Sequence, residues 1–73
     1  MELAFIIEQT ADDPILTTVP DGAHVPTVGE KIFLQGFVVG SFIVVERKYN
    51  LKVEKPGNPA VFGWSFVLKK EMD

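Results

Sequence analysis

The chain has 73 residues, of which 47% are hydrophobic, and its seven Lys and Arg against ten Asp and Glu give a formal net charge of −3. This length allows one small domain with a thin stability margin, because a domain of about 60 residues buries only about 60% of its unfolded surface. No Cys and a single His exclude disulfides, thiolate metal sites and the usual zinc ligand sets.

The first two predicted strands, residues 2–9 and 15–19, form a hairpin. Leu3, Phe5 and Ile7 share one face of the first strand, as a period of two requires. A helix is the competing interpretation, because some apolar residues of this run also have helical spacing. The short run and the β-rich remainder favour a strand. The same segment has no basic region and is interrupted by acidic residues, so we expect neither a signal peptide nor a membrane span, and a cytoplasmic protein.

The third predicted strand, residues 30–36, follows an irregular loop that begins at the turn signal Pro20-Asp-Gly22. Ile32 and Leu34 share one face of this strand. A tight turn at one of the two following glycines, at positions 36 and 40, separates it from the next strand, because an unbroken strand over the whole segment would far exceed the usual length.

The fourth predicted strand runs from about residue 41 to 53. Its first part is apolar on both sides, which predicts burial on both faces, and Ile43 and Val45 are assigned to the core. Residues 55–59 contain two Pro, one Gly and one Asn, which is typical of a hairpin loop.

The last predicted strand covers residues 60–69. Its large side chains alternate with smaller ones, and the large side is assigned to the core, while Gly63 and Ser65 allow close approach of another backbone or a partner. The large residues of this strand are Phe62, Trp64, Phe66 and Leu68.

Five short strands separated by turn signals predict an all-β fold with one domain over residues 1–73. The favoured architecture is a small, partly open, five-stranded antiparallel SH3-like barrel, and the alternatives are an OB-like barrel and a small β-sandwich. The predicted core consists of Phe5, Ile7, Ile32, Leu34, Ile43, Val45, Trp64 and Phe66.

One segment carries a family resemblance. Pro26-Thr-Val-Gly-Glu30 precedes Lys-Ile-Phe-Leu, and Phe-Ile-Val-Val45 follows. This pattern, over about residues 26–49, resembles one in small uncharacterised bacterial and phage β-barrel proteins, in which such a turn leads into a strand. The resemblance implies a small barrel of the SH3-like kind and implies no activity.

No residue pattern predicts an enzyme, a cofactor or a metal site. A catalytic triad needs a nucleophile, a base and a carboxylate within hydrogen-bond reach, and the sequence brings no such set together. The acidic residues of the turns lack the spacing of a calcium loop. The residues considered for catalysis are His24, Ser41, Ser65, Asp12, Asp13 and Asp21, and those considered for calcium are Asp12, Asp13, Asp21 and Glu30.

Two kinds of binding surface are predicted, and the first is an interface with a second copy or another protein. Apolar residues crowd the glycine-flanked segment beyond what a small core needs, and the competing interpretation places all of them in the core. The candidate interface residues are Phe37, Val38, Val39 and Phe42.

The alternative is a single-stranded nucleic-acid site on the basic segment 47–55, where bases would stack on an aromatic ring in a basic groove. The acidic net charge and interleaved Glu residues oppose it. The candidate contacts are Arg47, Lys48, Tyr49, Lys52 and Lys55.

Overall fold

The computed structural model describes residues 1–10, 13–36, 38–53, 56–57 and 61–71. The predicted all-β class is confirmed: the five strands are β1 (Glu2–Ile7), β2 (Ile15–Thr18), β3 (Lys31–Leu34), β4 (Gly40–Lys52) and β5 (Val61–Lys70). Within these described ranges, no helix is long and apolar enough to cross a membrane. The predicted hairpin loop at 55–59 lies outside the described residues except for Pro56 and Gly57.

All five strands form one sheet in the order β2-β1-β5-β4-β3, curled into a half-barrel. The prediction of an antiparallel sheet is wrong, because β1 and β5 run parallel while the other three pairs are antiparallel. The physical reason is the insertion of the last strand between two hairpins, β1–β2 and β3–β4. The alternation of side chains along a strand indicates which face of the strand is buried, but it does not indicate which strands lie beside it.

The connection between β2 and β3, residues 19–30, crosses the concave inner face of the sheet, because these two strands lie at opposite edges. Val19 and Val25 pack against the core and Pro26 is buried. The connection ends by pairing with β4: Gly29 N donates to the carbonyl of Val44 at 2.8 Å, and Val44 N donates to the carbonyl of Glu30 at 3.0 Å. This crossover therefore covers the core in place of a second sheet layer.

Six buried side chains from β1, β4 and β5 form the core on the inner face. The rings of Phe5 and Phe66 stack with their centroids 5.2 Å apart. Of the predicted core residues, Phe5 and Phe66 are buried, and four more, Ile7, Ile32, Leu34 and Trp64, are half-buried against the core, so these six are confirmed. The buried residues are Leu3, Phe5, Phe42, Val44, Phe66 and Leu68.

The predicted core positions Ile43 and Val45 are wrong, and a β-bulge explains part of the difference. Val44, which pairs with Leu68, and Phe42 are the buried residues of this strand, whereas Val45 is 38% exposed. The register of β4 against β5 shifts between Val44 and Glu46, so Val45 is the extra residue. A bulge reverses the alternation beyond it. Even-numbered residues therefore face inward before the bulge, and odd-numbered residues face inward after it.

Gly63 permits the close parallel contact between β1 and β5. A Cβ atom at this position would lie 2.7 Å from the carbonyl oxygen of Glu2, its partner in the register. Real Cβ atoms essentially never come this close to an oxygen, so a side chain here would force the two backbones apart. Only glycine fits without a shift.

We expect Gly63→Ala to lower the free energy of unfolding by about 1–3 kcal/mol, the usual cost of overpacking, measured by urea denaturation. Thr18→Ala, at the exposed position that pairs with Glu2 from the other side, is the matched control because it adds no atom to the contact between β1 and β5. An alanine at 63 that leaves stability unchanged would contradict the contact.

Candidate protein-interaction surface

An apolar band, here called the outer stripe, crosses the convex outer face of the sheet from β2 to β3. It combines strongly exposed side chains at both ends, with Leu16 76% and Phe33 58% exposed, and half-buried ones in the middle. Contiguous exposed apolar surface of this kind marks interaction sites, whereas isolated apolar residues do not. The outer stripe consists of Leu16, Ala4, Ile6, Val67, Val45, Ile43 and Phe33.

The strand registers make this stripe continuous. Leu16 pairs with Ala4, and Ile6 pairs with Val67 at the centre of the sheet. Ile43 lies one diagonal step from Val67, since its own partner is Lys69. Phe33 likewise lies one diagonal step from Ile43. Diagonal neighbours on one face are about 7–8 Å apart, within reach of long side chains. The stripe therefore runs obliquely over all five strands.

Charged side chains flank the outer stripe on both sides. Lys69 and Glu8, the turn residue that follows β1, lie on one side, and Glu46 and Lys48 lie on the other. All four are exposed, and none forms an ion pair with another residue in the part of the chain that the structure describes. At the β3 end, Lys31 Nζ contacts Glu71 Oε1 at 2.9 Å. The surface thus has an apolar centre and a charged rim.

The predicted interface residues do not form one exposed surface. Phe42 is only 3% exposed and belongs to the core. Val38 is half-buried and lines a cleft of about 720 Å³ with Phe5 and Ile7. Val39 is 68% exposed, and Phe37 lies outside the described residues. The glycine-flanked segment therefore presents one exposed apolar side chain among its described residues.

The predicted nucleic-acid contacts are divided between the two faces of the sheet. Arg47 and Tyr49 pair with Phe66 and Trp64 on the inner face, so Lys48 lies on the outer one. Lys52 also lies on the outer face by alternation, and Lys55 lies outside the described residues. Nucleic-acid binding by this set stays a prediction: Lys48, Tyr49 and Lys52 line one open cleft of about 610 Å³, whereas Arg47 is not part of its lining.

Arg47, Tyr49 and Trp64 form a cluster that attaches the crossover to the sheet. The Tyr49 and Trp64 rings lie 4.8 Å apart at 53°, and the Arg47 guanidinium carbon lies 4.6 Å from the Trp64 ring centroid. Arg47 Nη1 also donates to the carbonyl of Pro26 at 3.3 Å. A planar guanidinium serves both contacts, since it stacks on a ring while its edge donates hydrogen bonds.

A side-chain contact between His24 and Glu30 links two positions within the crossover. His24 Nε2 lies 2.9 and 3.0 Å from the two carboxylate oxygens of Glu30, and Thr27 Oγ1 donates to the same carboxylate at 3.5 Å. The hydrogen bond from His24 holds the pKa of Glu30 below its ordinary value of 4.5, against the opposing effect of burial. This pair fixes the loop just before it joins β4.

The residues considered for catalysis and metal binding have other partners or lie apart. Ser65 Oγ accepts a hydrogen bond from Asn50 Nδ2 at 2.6 Å, His24 contacts Glu30, and Asp21 Oδ1 contacts the Met1 amino group at 3.2 Å. Across the described ranges, no three His, Cys, Asp or Glu residues group as metal ligands. Asp12 lies outside those ranges.

No protein-family model matches the sequence, and comparisons with curated proteins and with solved structures likewise give no match. The functional argument therefore depends on the geometry of the described residues.

Sequence reasoning missed the outer stripe, although one signal pointed to it. Residues of β1 and β4 are apolar on both sides, as at Ile6 and Ile43, which is more apolar surface than one core face requires. That signal identifies the strands. The oblique alignment across strands depends on the registers and on the bulge, which a single sequence does not record.

We expect Arg47→Lys to lower the free energy of unfolding by about 1 kcal/mol and to red-shift the emission of Trp64, because an ammonium loses the planar stack. Lys48→Arg is the matched control, since it makes the reverse exchange on the outer face. Equal effects of the two variants in denaturant titrations monitored by tryptophan fluorescence would contradict the cluster's role.

We expect His24→Ala to raise the pKa of Glu30 towards 4.5, followed by NMR titration of the carboxyl carbon. In the wild-type protein the folded-state pKa is lowered, so ionised Glu30 contributes stability above pH 4.5, and this contribution is lost as the pH falls through the lowered value. His24→Ala should therefore weaken the protein mainly above pH 4.5. An unchanged Glu30 titration in the variant would rule out this coupling.

Proposed function

We propose that the protein is a non-catalytic protein-interaction module that associates with a second copy of itself through the outer stripe. The observation that carries this proposal is the continuity of exposed and half-buried apolar side chains across all five strands, from Leu16 to Phe33.

An ordinary interface requires only a small share of the protein's accessible surface. Specific interfaces bury about 800 Å² on each partner, roughly one seventh of the 5581 Å² accessible surface of the described protein. Burial of apolar surface contributes about 25 cal/mol per Å² before the costs of association. Leu16 and Phe33 are more than half exposed, so burying these side chains in an interface would stabilise the associated state.

Self-association suits a domain with this small a core. Among the residues that the structure describes, six buried apolar side chains and a crossover loop hold the fold together, and the chain contains no Cys for a disulfide. Domains of this size commonly gain stability by oligomerisation. Binding of a second copy stabilises the folded state by mass action, so the stability of the protein should rise with its concentration.

The outer stripe is a better candidate than the glycine-flanked segment, residues 34–42. That segment supplies Val39 as an exposed side chain, whereas its Phe42 is already committed to the core. The stripe offers Leu16, Ile6 and Phe33 on one continuous surface. The proposed class of function, protein interaction, is therefore the one predicted from the sequence, but the proposed interface is the outer stripe instead of the glycine-flanked segment.

Two further assignments remain proposals beside this one. Within the all-β class, the SH3-like architecture is supported by the half-barrel curl and the number of strands, while the parallel contact between β1 and β5 is unlike the antiparallel barrel expected. A cytoplasmic location is the second assignment, and the absence of Cys from the sequence is compatible with it.

The test compares two variants that make the same chemical change at different places. Ile6→Glu introduces a charge at the centre of the outer stripe, and Val39→Glu introduces one in the glycine-flanked segment; both side chains are exposed, so both variants should fold. We expect sedimentation equilibrium to give a dimer for the wild type and Val39→Glu, and a monomer for Ile6→Glu.

Circular dichroism spectra of the two variants control for folding. A wild-type monomer at high micromolar concentration would overturn the proposal. A monomeric Val39→Glu beside a dimeric Ile6→Glu would return the interface to the glycine-flanked segment, and low-salt binding of a mixed oligonucleotide by the monomer would favour the nucleic-acid alternative instead.

A further inference from the structure

We infer that two copies pair about a two-fold axis that lies along the outer stripe, with Glu8 of each copy opposite Lys48 of the other and Lys69 opposite Glu46. This inference rests on the proposed function and goes beyond it, because it assigns the orientation of the pair and the four residues that select a second copy as the partner.

The register defines a map of the outer face centred on Val67. Neighbouring strands lie about 4.8 Å apart, and successive residues of one face lie about 6.8 Å apart along a strand. Ile6 and Val67 occupy the same row, and Ile43 lies one strand across and one row further along. From Leu16 to Phe33 the stripe crosses four strand spacings and three rows, so it runs at roughly 45° to the strands on this spacing.

On this map the charges on the two sides of the stripe occupy corresponding positions. Glu8 follows β1 directly in a turn, and its backbone N donates to the carbonyl of Leu68 at 2.8 Å, so it continues the β1 row beside Lys69. Lys48, the partner of Ser65, lies one strand to the other side of β5 and one row towards its amino end. Rotation by 180° about the stripe exchanges these two positions. Glu8 of one copy is thereby placed opposite Lys48 of the other.

The second pair follows from the same rotation. Lys69 lies one row along β5 from Val67, and Glu46 lies one strand across in the same row as Val67. Rotation about a diagonal axis places a residue that lies one row along β5 in one copy opposite a residue that lies one strand across the sheet in the other copy. Lys69 of one copy therefore lies opposite Glu46 of the other. Because a two-fold interface repeats each contact, four oppositely charged pairs form, and no pair has like charges.

Other orientations lack this match. A two-fold axis parallel to β5 would place Ala4 opposite Lys48 and Ile6 opposite Glu46, so charged groups would lose water against apolar side chains without a partner, which is costly. The convex curl of the sheet supports the oblique axis as well. Two convex faces touch along a narrow band, and long Glu and Lys side chains can span the gap beside it.

The experiment exchanges charges across the proposed axis. Glu8→Lys alone places Lys opposite Lys48, and Lys48→Glu alone places Glu opposite Glu8. We expect each single variant to dimerise at least about tenfold more weakly than the wild type, since two favourable contacts become repulsive in each dimer. Sedimentation velocity at low salt measures the dissociation constants.

The decisive measurements restore the opposite charges in two ways. An equimolar mixture of the two single variants should form a heterodimer, because every contact in it again joins Lys to Glu. The double variant Glu8→Lys/Lys48→Glu should form a homodimer of near wild-type affinity. Lys70→Glu, a charge reversal outside the four residues, is the control and should leave affinity within about threefold.

The outcomes separate this inference from the proposed function. A monomeric wild type means that the proposed function fails, and the orientation with it. A wild-type dimer that Ile6→Glu dissociates, together with no recovery in the mixture or the double variant, overturns the orientation alone and leaves the outer stripe as the interface.

Discussion

The insertion of β5 between β1 and β4 is the contact on which the rest of the structure depends. Phe66 and Leu68 of this strand are fully buried, and the strand satisfies the backbone hydrogen bonds of neighbours on both sides. Its register against β1 places Phe66 on Phe5 and also brings Val67 beside Ile6 on the opposite face. A slip by one residue would exchange the two faces, so the core and the outer stripe are fixed by the same pairing.

Local periodicity was sufficient to predict most elements of the fold. The strands, the irregular connection after β2 and six of the eight predicted core residues follow from alternation and turn chemistry. The parallel pairing did not follow, because strand direction depends on where the crossover carries the chain. The inward face of β4 was also missed, since both of its sides are apolar before Glu46.

The candidate site was less accessible to sequence reasoning than the fold. The excess of apolar residues correctly indicated that some apolar side chains lie outside the core. The prediction placed these side chains in one continuous segment of the sequence. The outer stripe draws residues from all five strands, and its course depends on the registers. Composition can therefore indicate that an interaction surface exists, whereas its location requires the pairing of distant strands.

The bulge at Val45 explains why Arg47 lies beside Trp64. Without the bulge at Val45, alternation from Val44 would place Arg47 on the outer face, away from the crossover. One extra residue instead directs it inward, where it reaches the carbonyl of Pro26. A small domain thus uses an irregularity in its longest strand to attach its longest described connection.

The position of β5 also determines when the protein can fold. The central strand of the sheet is the last one in the chain, and the hairpins β1–β2 and β3–β4 share no strand pairing until it arrives. A chain emerging from the ribosome can therefore form two separate hairpins, which are marginal in water by themselves, but no complete sheet. Pairing β1 with β5 also closes a loop of some sixty residues, and such distant pairing is slow. During synthesis, the apolar faces of both hairpins stay open to chaperones or to neighbouring chains until β5 has been made.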